Sequence, residues 1–160
     1  MSAVKEVEGN LALAAEEDRE LVSFSIAGQL FGIAVLEVRD VLRPQTISRI
    51  SLAPPDVVGS LNLRGRIVTA IDICHRLGLS ASQPPEKRMS IVVEHGDELY
   101  ALIVDSIGDV LSLSAKDFER NPVTLNPRWR EISAGIYRLE TGLLVVVDIA
   151  RLLGFLVKSK

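Results

Sequence analysis

Few residues of this 160-residue chain have the types and spacing that chemistry requires. The two histidines are His75 and His95, and His75 directly follows the single cysteine, Cys74. Adjacent residues on a helix do not share a face, so Cys74-His75 is a poor start for a metal site or a nucleophile–base pair. A small core or surface pair explains it better. Gly59 and Gly65 are not followed by Lys-Ser or Lys-Thr, so they do not form a phosphate-cradling loop. Asp40 and Asp109 each precede Val-Leu. Two such carboxylates can serve general acid–base work, but repeated structural turns or solvated strand ends account for them more simply. Asp72 and Asp148 stand where a carboxylate caps a short helix. Arg64 is different. It sits in Asn62-Leu63-Arg64-Gly65, a cationic tip between two apolar runs. There it can snorkel over the core, brace a nearby carboxylate, or bind a partner. No catalytic constellation is present, and neither a metal nor a cofactor is expected. Recognition by a surface is what is left.

The elements that must position Arg64 are two strands. The apolar runs on either side of Asn62-Leu63-Arg64-Gly65, the second of them Ile67–Ile71, are separated by a short break containing glycine, which is the pattern of a β-hairpin. The second run is rich in β-branched residues, which fit a half-buried pleated surface. The rest of the chain follows suit. Leu21–Ile26 and Leu30–Val35 alternate around Ala27-Gly28-Gln29 and read as a second hairpin. Leu36–Leu42 fits either a helical face or a bent strand, and Pro44 ends it. Thr46–Ile50 is a short strand. Asp72 caps a helical turn that Gly78 ends in a left-handed conformation. Residues 79–88, with two serines and two prolines, form a linker or long loop. Met89–Glu94 and Leu99–Val104 pair around His95–Glu98, and Asp109–Leu113 continues extended. Ser114–Arg130 is a polar, irregular excursion. Ile132–Leu139 and Leu143–Val147 form the last hairpin, and Asp148–Gly154 repeats the capped turn.

That repetition is systematic. Asp72-Ile73 and Asp148-Ile149 lie 76 positions apart (148 minus 72), and the same offset carries Ile67 to Leu143, Leu77 to Leu153 and Gly78 to Gly154. Earlier in each half the offset is 69 (100 minus 31), carrying Phe31 to Tyr100 and Asp40-Val41-Leu42 to Asp109-Val110-Leu111. The chain therefore reads as a duplication, with halves at about 21–79 and 89–155. Each half holds about five short strands and a helical turn, which suits a small barrel. Two units this small are expected to share or abut cores. Residues 1–20 read as a mobile, acidic, Ala-rich tail and residues 156–160 as a C-terminal tail.

Bulk properties narrow the function. Hydrophobic residues make up 48% and aromatics only 4%, so the core must be aliphatic. The net charge of -3 argues against nucleic acid, whose binding rests on Lys and Arg neutralising phosphates. One cysteine permits no internal disulfide, which suits a reducing compartment. The acidic start does not resemble a signal peptide, and no apolar run approaches the roughly 20 residues of a membrane span. A cytoplasmic protein without direct membrane insertion is expected.

Asn62-Leu63-Arg64-Gly65, followed by Ile67-Val68 and Asp72-Ile73, resembles the chemotaxis coupling protein CheW family. So do Phe31-Gly32-Ile33 with Val38-Arg39-Asp40-Val41, and Val104–Leu111. These segments fall in family order from about Leu21 to Phe155. The resemblance implies a mostly β fold: two intertwined five-stranded SH3-like β-barrel subdomains with short helical turns. It implies a non-catalytic adaptor joining the cytoplasmic tip of methyl-accepting chemoreceptors to the regulatory domain of a CheA-type histidine kinase. Such an adaptor is recruited to membrane-associated receptor arrays. By position it implies Val38, Asp40, Ile107 and Val110 in the receptor-binding groove, and Gly59 and Arg64 in coupling to the kinase. Asp40 stands where the family often has Glu, one methylene longer. The reading from another class is a small β-barrel module binding a ligand or single-stranded nucleic acid, which requires exposed aromatics for stacking.

Overall fold

The computed structural model describes residues 18–158 apart from 52 and 82, with side chains through residue 154. The N-terminal tail expected over 1–20 lies outside the described residues up to residue 17, as do residues 159 and 160 of the C-terminal tail expected over 156–160. Along the chain come β1 (Asp18–Ile26), β2 (Gln29–Ala34), β3 (Val38–Leu42), β4 (Ser48–Arg49), β5 (Val57–Leu63) and β6 (Arg66–Asp72). After α1 (Ile73–Leu77) follow β7 (Met89–His95), β8 (Glu98–Val104) and β9 (Ser106–Ser114). Then α2 (Pro127–Ile132), β10 (Ser133–Leu139), β11 (Gly142–Val147) and α3 (Ile149–Lys158) close the chain. The ambiguous stretch after β2 is a 3-10 turn, Val35–Glu37, leading into strand β3.

The strands form two sheets. One runs β10-β11-β2-β1-β9, the other β3-β7-β8-β6-β5-β4. Each sheet mixes the two sequence halves. The first-half hairpin β1–β2 joins β9, β10 and β11, and the second-half hairpin β7–β8 joins β3 to β6. The joins are parallel, β2 against β11 and β8 against β6. The halves have thus exchanged their first hairpins, which is the intertwining the family resemblance implies.

The duplication is legible in the pairing register. Val57 faces Ile71 before a bulge and Gly59 faces Ala70 after it; Ser133 faces Val147 before a bulge and Gly135 faces Val146 after it. At the other offset, Val22 lies opposite Ile33 and Val110, as Ile91 lies opposite Leu102 and Val41. Even the bulges that precede Asp40 in β3 and Val110 in β9 correspond.

Alternation divides the side chains between three clusters. On β8, Leu99, Ala101 and Ile103 face a small core within the six-stranded sheet, with Val68, Ala70 and Val92. Leu102 and Val104 face the other way, into a large core shared by both sheets with Phe24, Phe31, Ile33, Ile71 and Val145. Leu21, Tyr137, Leu144 and Val146 make the matching small core of the five-stranded sheet. In the shared core Trp129 meets Phe31 edge-on at 5.9 Å and donates its indole N–H to the Leu77 carbonyl at 2.9 Å, tying α2 to α1.

The caps behave as their residue types require at α1. Asp72 Oδ1 accepts the Cys74 N–H at 3.1 Å, and Gly78 takes φ 70°. At α3 the cap holds, with Asp148 accepting the Arg151 N–H at 3.1 Å, but Gly154 lies inside the helix, which continues to Lys158. A glycine inside a helix costs only about 1 kcal/mol, and no proline follows to stop it. Helix α2 begins within the stretch read as irregular and runs through Ile132, read from the sequence as the start of a strand. Asn126 caps it by accepting the Arg128 N–H at 2.9 Å, and Pro127 occupies its first turn.

The linker ends in a buried clasp. Arg88 is 3% exposed. Its guanidinium is hydrogen-bonded to Asp72, at the cap of α1, and lies 3.7 Å from Asp105, between β8 and β9. Burial opposes its charge, but the Asp72 carboxylate more than offsets this and holds the guanidinium pKa above its usual range.

Candidate functional site

Arg64 and Gly65 are the whole loop of the β5–β6 hairpin, at φ 51° and 86°. Two central residues at positive φ make the type I′ turn whose twist matches the flanking strands. Asn62 Oδ1 fixes it by accepting the Gly65 N–H at 2.9 Å. Asn or Gly is the usual choice at the first central position; an arginine held left-handed costs roughly 1–2 kcal/mol. In the duplicate hairpin Glu140 and Thr141 fill the loop, and the positive φ falls on Gly142 instead. The tip is therefore a place where the two halves differ in both sequence and backbone.

The strained arginine reaches Asp40. Arg64 Nη2 lies 3.1 Å from Asp40 Oδ2, with the arginine side chain 79% exposed and the carboxylate 22%. Asp40 is on β3, at the far edge of the sheet from the β5–β6 hairpin, with β7 and β8 between. The ion pair thus joins the hairpin tip to the edge strand across β7 and β8. Asp40 Oδ1 meanwhile accepts the Val41 N–H at 2.8 Å, fixing the carboxylate on the bulged strand.

Below this pair lies a recess of about 140 Å³. Leu63, Val92 and Leu99 floor it, and Arg39, Asp40, Arg64, Arg66 and Glu94 surround it. Arg39 Nε is paired with Glu94 Oε1 at 3.2 Å. The arrangement offers an apolar seat under a rim of guanidiniums, which suits recognition.

The other expected site residues fall into two groups. Val38 on β3 and Ile107 on β9 are half-buried and pack on the same shared core, from edge strands of different sheets. Val110, two-strand equivalent of Val41, is 56% exposed, and Val41 is 40% exposed. These positions correspond pairwise under the duplication, so β3 and β9 present two related apolar edges. Gly59 is not on that surface. It is buried, and a Cβ there would stand 2.1 Å from the Ser48 carbonyl oxygen. Its place is to let β4 lie against β5. Gly135 does the same for the Glu119 segment, where a Cβ would be 2.6 Å from the Glu119 carbonyl oxygen. The offset of 76 that aligns the hairpins also aligns these two glycines, a signal in the sequence that finds both.

The polar residues considered for chemistry do not assemble. Asp109 is exposed on β9, and Asp40 is committed to Arg64. Cys74 is buried, and burial followed by the Asp72 carboxylate pushes its thiol up to about 11, which keeps it from acting as a nucleophile. His75 turns instead to Asp56, Nδ1 to Oδ1 3.0 Å, beside a polar cleft with Arg76, Arg128 and Glu131. Arg88 and Arg66 gave no motif in the sequence, because a lone arginine in a linker or at a strand start has no pattern.

Comparison with known proteins decides the family. The family model described as the CheW-like domain matches residues 20–156. The chain belongs to the CheW-like family. It is 28% identical to the chemotaxis protein CheW of Rhizobium meliloti, over 82% of this chain and 84% of that one. It is 30% identical to the chemotaxis protein CheW of Klebsiella aerogenes, over 84% of this chain and 81% of that one. Among solved structures it is similar to the scaffolding protein TtCheW of Thermoanaerobacter tengcongensis, with a TM-score of 0.72 and 26% identity, covering 81% of this chain and 88% of that chain. The paired SH3-like subdomains are consistent with the CheW-like fold. Among the described residues no helix is long and apolar enough to cross a membrane.

Proposed function

We propose that this CheW-like chain is a non-catalytic adaptor that couples methyl-accepting chemoreceptors to a CheA-type histidine kinase in chemosensory signalling. In this reading it works in the cytoplasm and is recruited to receptor arrays. Val38, Asp40, Ile107 and Val110 form the receptor-facing surface. Arg64 and Gly59 serve coupling, Arg64 at the surface and Gly59 by holding β4 in place. The observation that carries the reading is the Asp40–Arg64 ion pair at 3.1 Å. It joins the segment assigned to the receptor with the segment assigned to the kinase.

Co-sedimentation with a receptor signalling domain and with the kinase regulatory domain tests this. Binding of both at tens of micromolar or better is expected, a range typical of transient adaptors; binding of neither sinks the proposal. The alternative of a nucleic-acid-binding barrel gains no support, because Tyr137, Phe24 and Phe31 are buried and Tyr100, Phe118 and Trp129 half-buried.

A further inference from the structure

Strand β1 starts before its neighbour β2 can pair with it. Toward β2 its outermost pair is Leu21 with Ala34, whereas toward β9 it is paired out to Asp18 with Ser114. An apolar groove of about 360 Å³ lies beside this overhang. Asp18–Leu21 line it from β1, Ala34–Leu36 from the end of β2 and the turn after it, and Val146 from β11. Leu21 and Val146 belong to the small core of the five-stranded sheet, so the groove opens onto that core. Leu36 is 89% exposed beside it. A lone exposed leucine is ordinary, but one bordering an open apolar groove marks a contact surface.

Beside β7 the corresponding corner is covered by the chain that leads into it. At the offset of 69, Leu36 corresponds to Asp105 and Arg19 to Arg88 (105 minus 36, 88 minus 19). The pair Leu21–Ala34 likewise corresponds to Ser90–Ile103. Residues 79–88 come in ahead of β7. Leu79 packs on the shared core, and Arg88, 3% exposed, lies 3.7 Å from Asp105. Arg19 does not take the matching place. Its guanidinium lies 4.4 Å from the centre of the Phe118 ring, and Leu36 stays exposed.

The chain ahead of β1 has the composition to cover its own corner. Residues 10–17, the counterpart of 79–86, contain Leu11-Ala12-Leu13-Ala14-Ala15, five apolar residues in a row. Glu16 and Glu17 alone separate that run from Asp18 at the groove. We propose that Leu11–Ala15 docks in this groove and covers Leu36, with Leu11 and Leu13 as the side chains that enter. Residues two apart on an extended chain point the same way. A cavity of roughly 150 Å³ holds one benzene ring, so about 360 Å³ takes two leucine side chains. Leu13 is five residues from Asp18 (18 minus 13), a reach of up to about 17 Å, which allows the turn back. The short tether holds the segment near the groove at an effective concentration of about millimolar. The proposal stands apart from the adaptor reading.

Paired cysteines in the full chain test the contact, with Cys74→Ala removing the native thiol. Leu13→Cys is combined either with Leu36→Cys at the groove or with Ile50→Cys, 46% exposed beside β4 in the other sheet. Both pairs are oxidised with glutathione disulfide at low protein concentration, and the intramolecular disulfide is timed. Loop length alone, 23 residues against 37 (36 minus 13, 50 minus 13), favours Leu36 about twofold. Docking should raise the ratio to about tenfold or more. A ratio near two overturns the proposal. So does a Leu36 cross-link that forms only between two molecules and speeds up with concentration, since the occupant is then a second copy. Leu36→Cys alone should also react with a maleimide several-fold faster once Leu11→Asp and Leu13→Asp are added. An unchanged rate counts against docking as firmly as a ratio near two. Leu36 and Ile50 are both exposed, so the cysteine variants keep the fold.

Discussion

Arg88 is the most exacting place to perturb this molecule. Replacing it by methionine keeps an apolar stem of similar length and removes the guanidinium. Asp72 and Asp105 then lose the cation between them, with their side chains only 21% and 19% exposed. Breaking a buried pair from one side costs about 3–5 kcal/mol. Here each carboxylate keeps a backbone hydrogen bond, Asp72 from the Cys74 N–H and Asp105 from the Ala27 N–H at 2.7 Å. The low end applies, about 3 kcal/mol. For a chain of this size that is a fall of roughly 6–12 °C in melting temperature. Against a total stability of about 5–15 kcal/mol the protein still folds. Urea unfolding followed by the fluorescence of Trp129, the single tryptophan, reads the change. The midpoint should drop with an unchanged slope. Adding Asp72→Asn and Asp105→Asn should restore most of the loss, since Asn still caps α1 and no charge is left unpaired. A methionine variant within about 0.5 kcal/mol of wild type would refute the clasp. So would a triple variant no more stable than the single one.

Other positions give equally definite outcomes. Gly59→Ala places a Cβ 2.1 Å from the Ser48 carbonyl oxygen and should cost about 1–3 kcal/mol as β4 is pushed away; an unchanged melting temperature contradicts that contact. Arg64→Gly removes a left-handed arginine, worth roughly 1–2 kcal/mol, and gives up an exposed ion pair worth about 0–1 kcal/mol. Its melting temperature should hold or rise while kinase coupling falls; a lower melting temperature would make Arg64 a brace. Cys74 should resist thiol reagents at pH 8 in the native protein and react once unfolded. Because folding raises its pKa to about 11, the stability from the neutral thiol is fully present below the unfolded value near 9 and is lost as pH rises through 11. Cys74→Ala should therefore flatten the alkaline limb of the stability curve between pH 9 and 11, and an unaltered limb would show that the thiol ionises elsewhere.

The local structure was legible in the sequence because local rules govern it. Asp72 and Gly78 bracket α1 through backbone hydrogen bonding, and the Arg64-Gly65 and Gly96-Asp97 loops turn where left-handed residues are tolerated. The duplication was legible because its offsets carry chemically specific residues, Asp-Ile and Asp-Val-Leu. Strand exchange was not. Alternation tells which face of β1 is buried but not that its sheet partners are β2 and β9. The same gap hid the Asp40–Arg64 pair, whose members belong to strands that share a sheet only through β7 and β8 from the other half. Arg88 was hidden by its setting. A Pro- and Ser-rich segment reads as solvated loop, yet it delivers a guanidinium to two carboxylates from different elements.

The most direct test of the adaptor reading is a reconstituted assembly of receptor signalling domain, histidine kinase and this chain, scored by kinase autophosphorylation under receptor control. Wild type should bring the kinase under receptor control, and Arg64→Ala should lose that control while staying folded. Kinase activity that is indifferent to the presence of the wild-type chain would contradict the account.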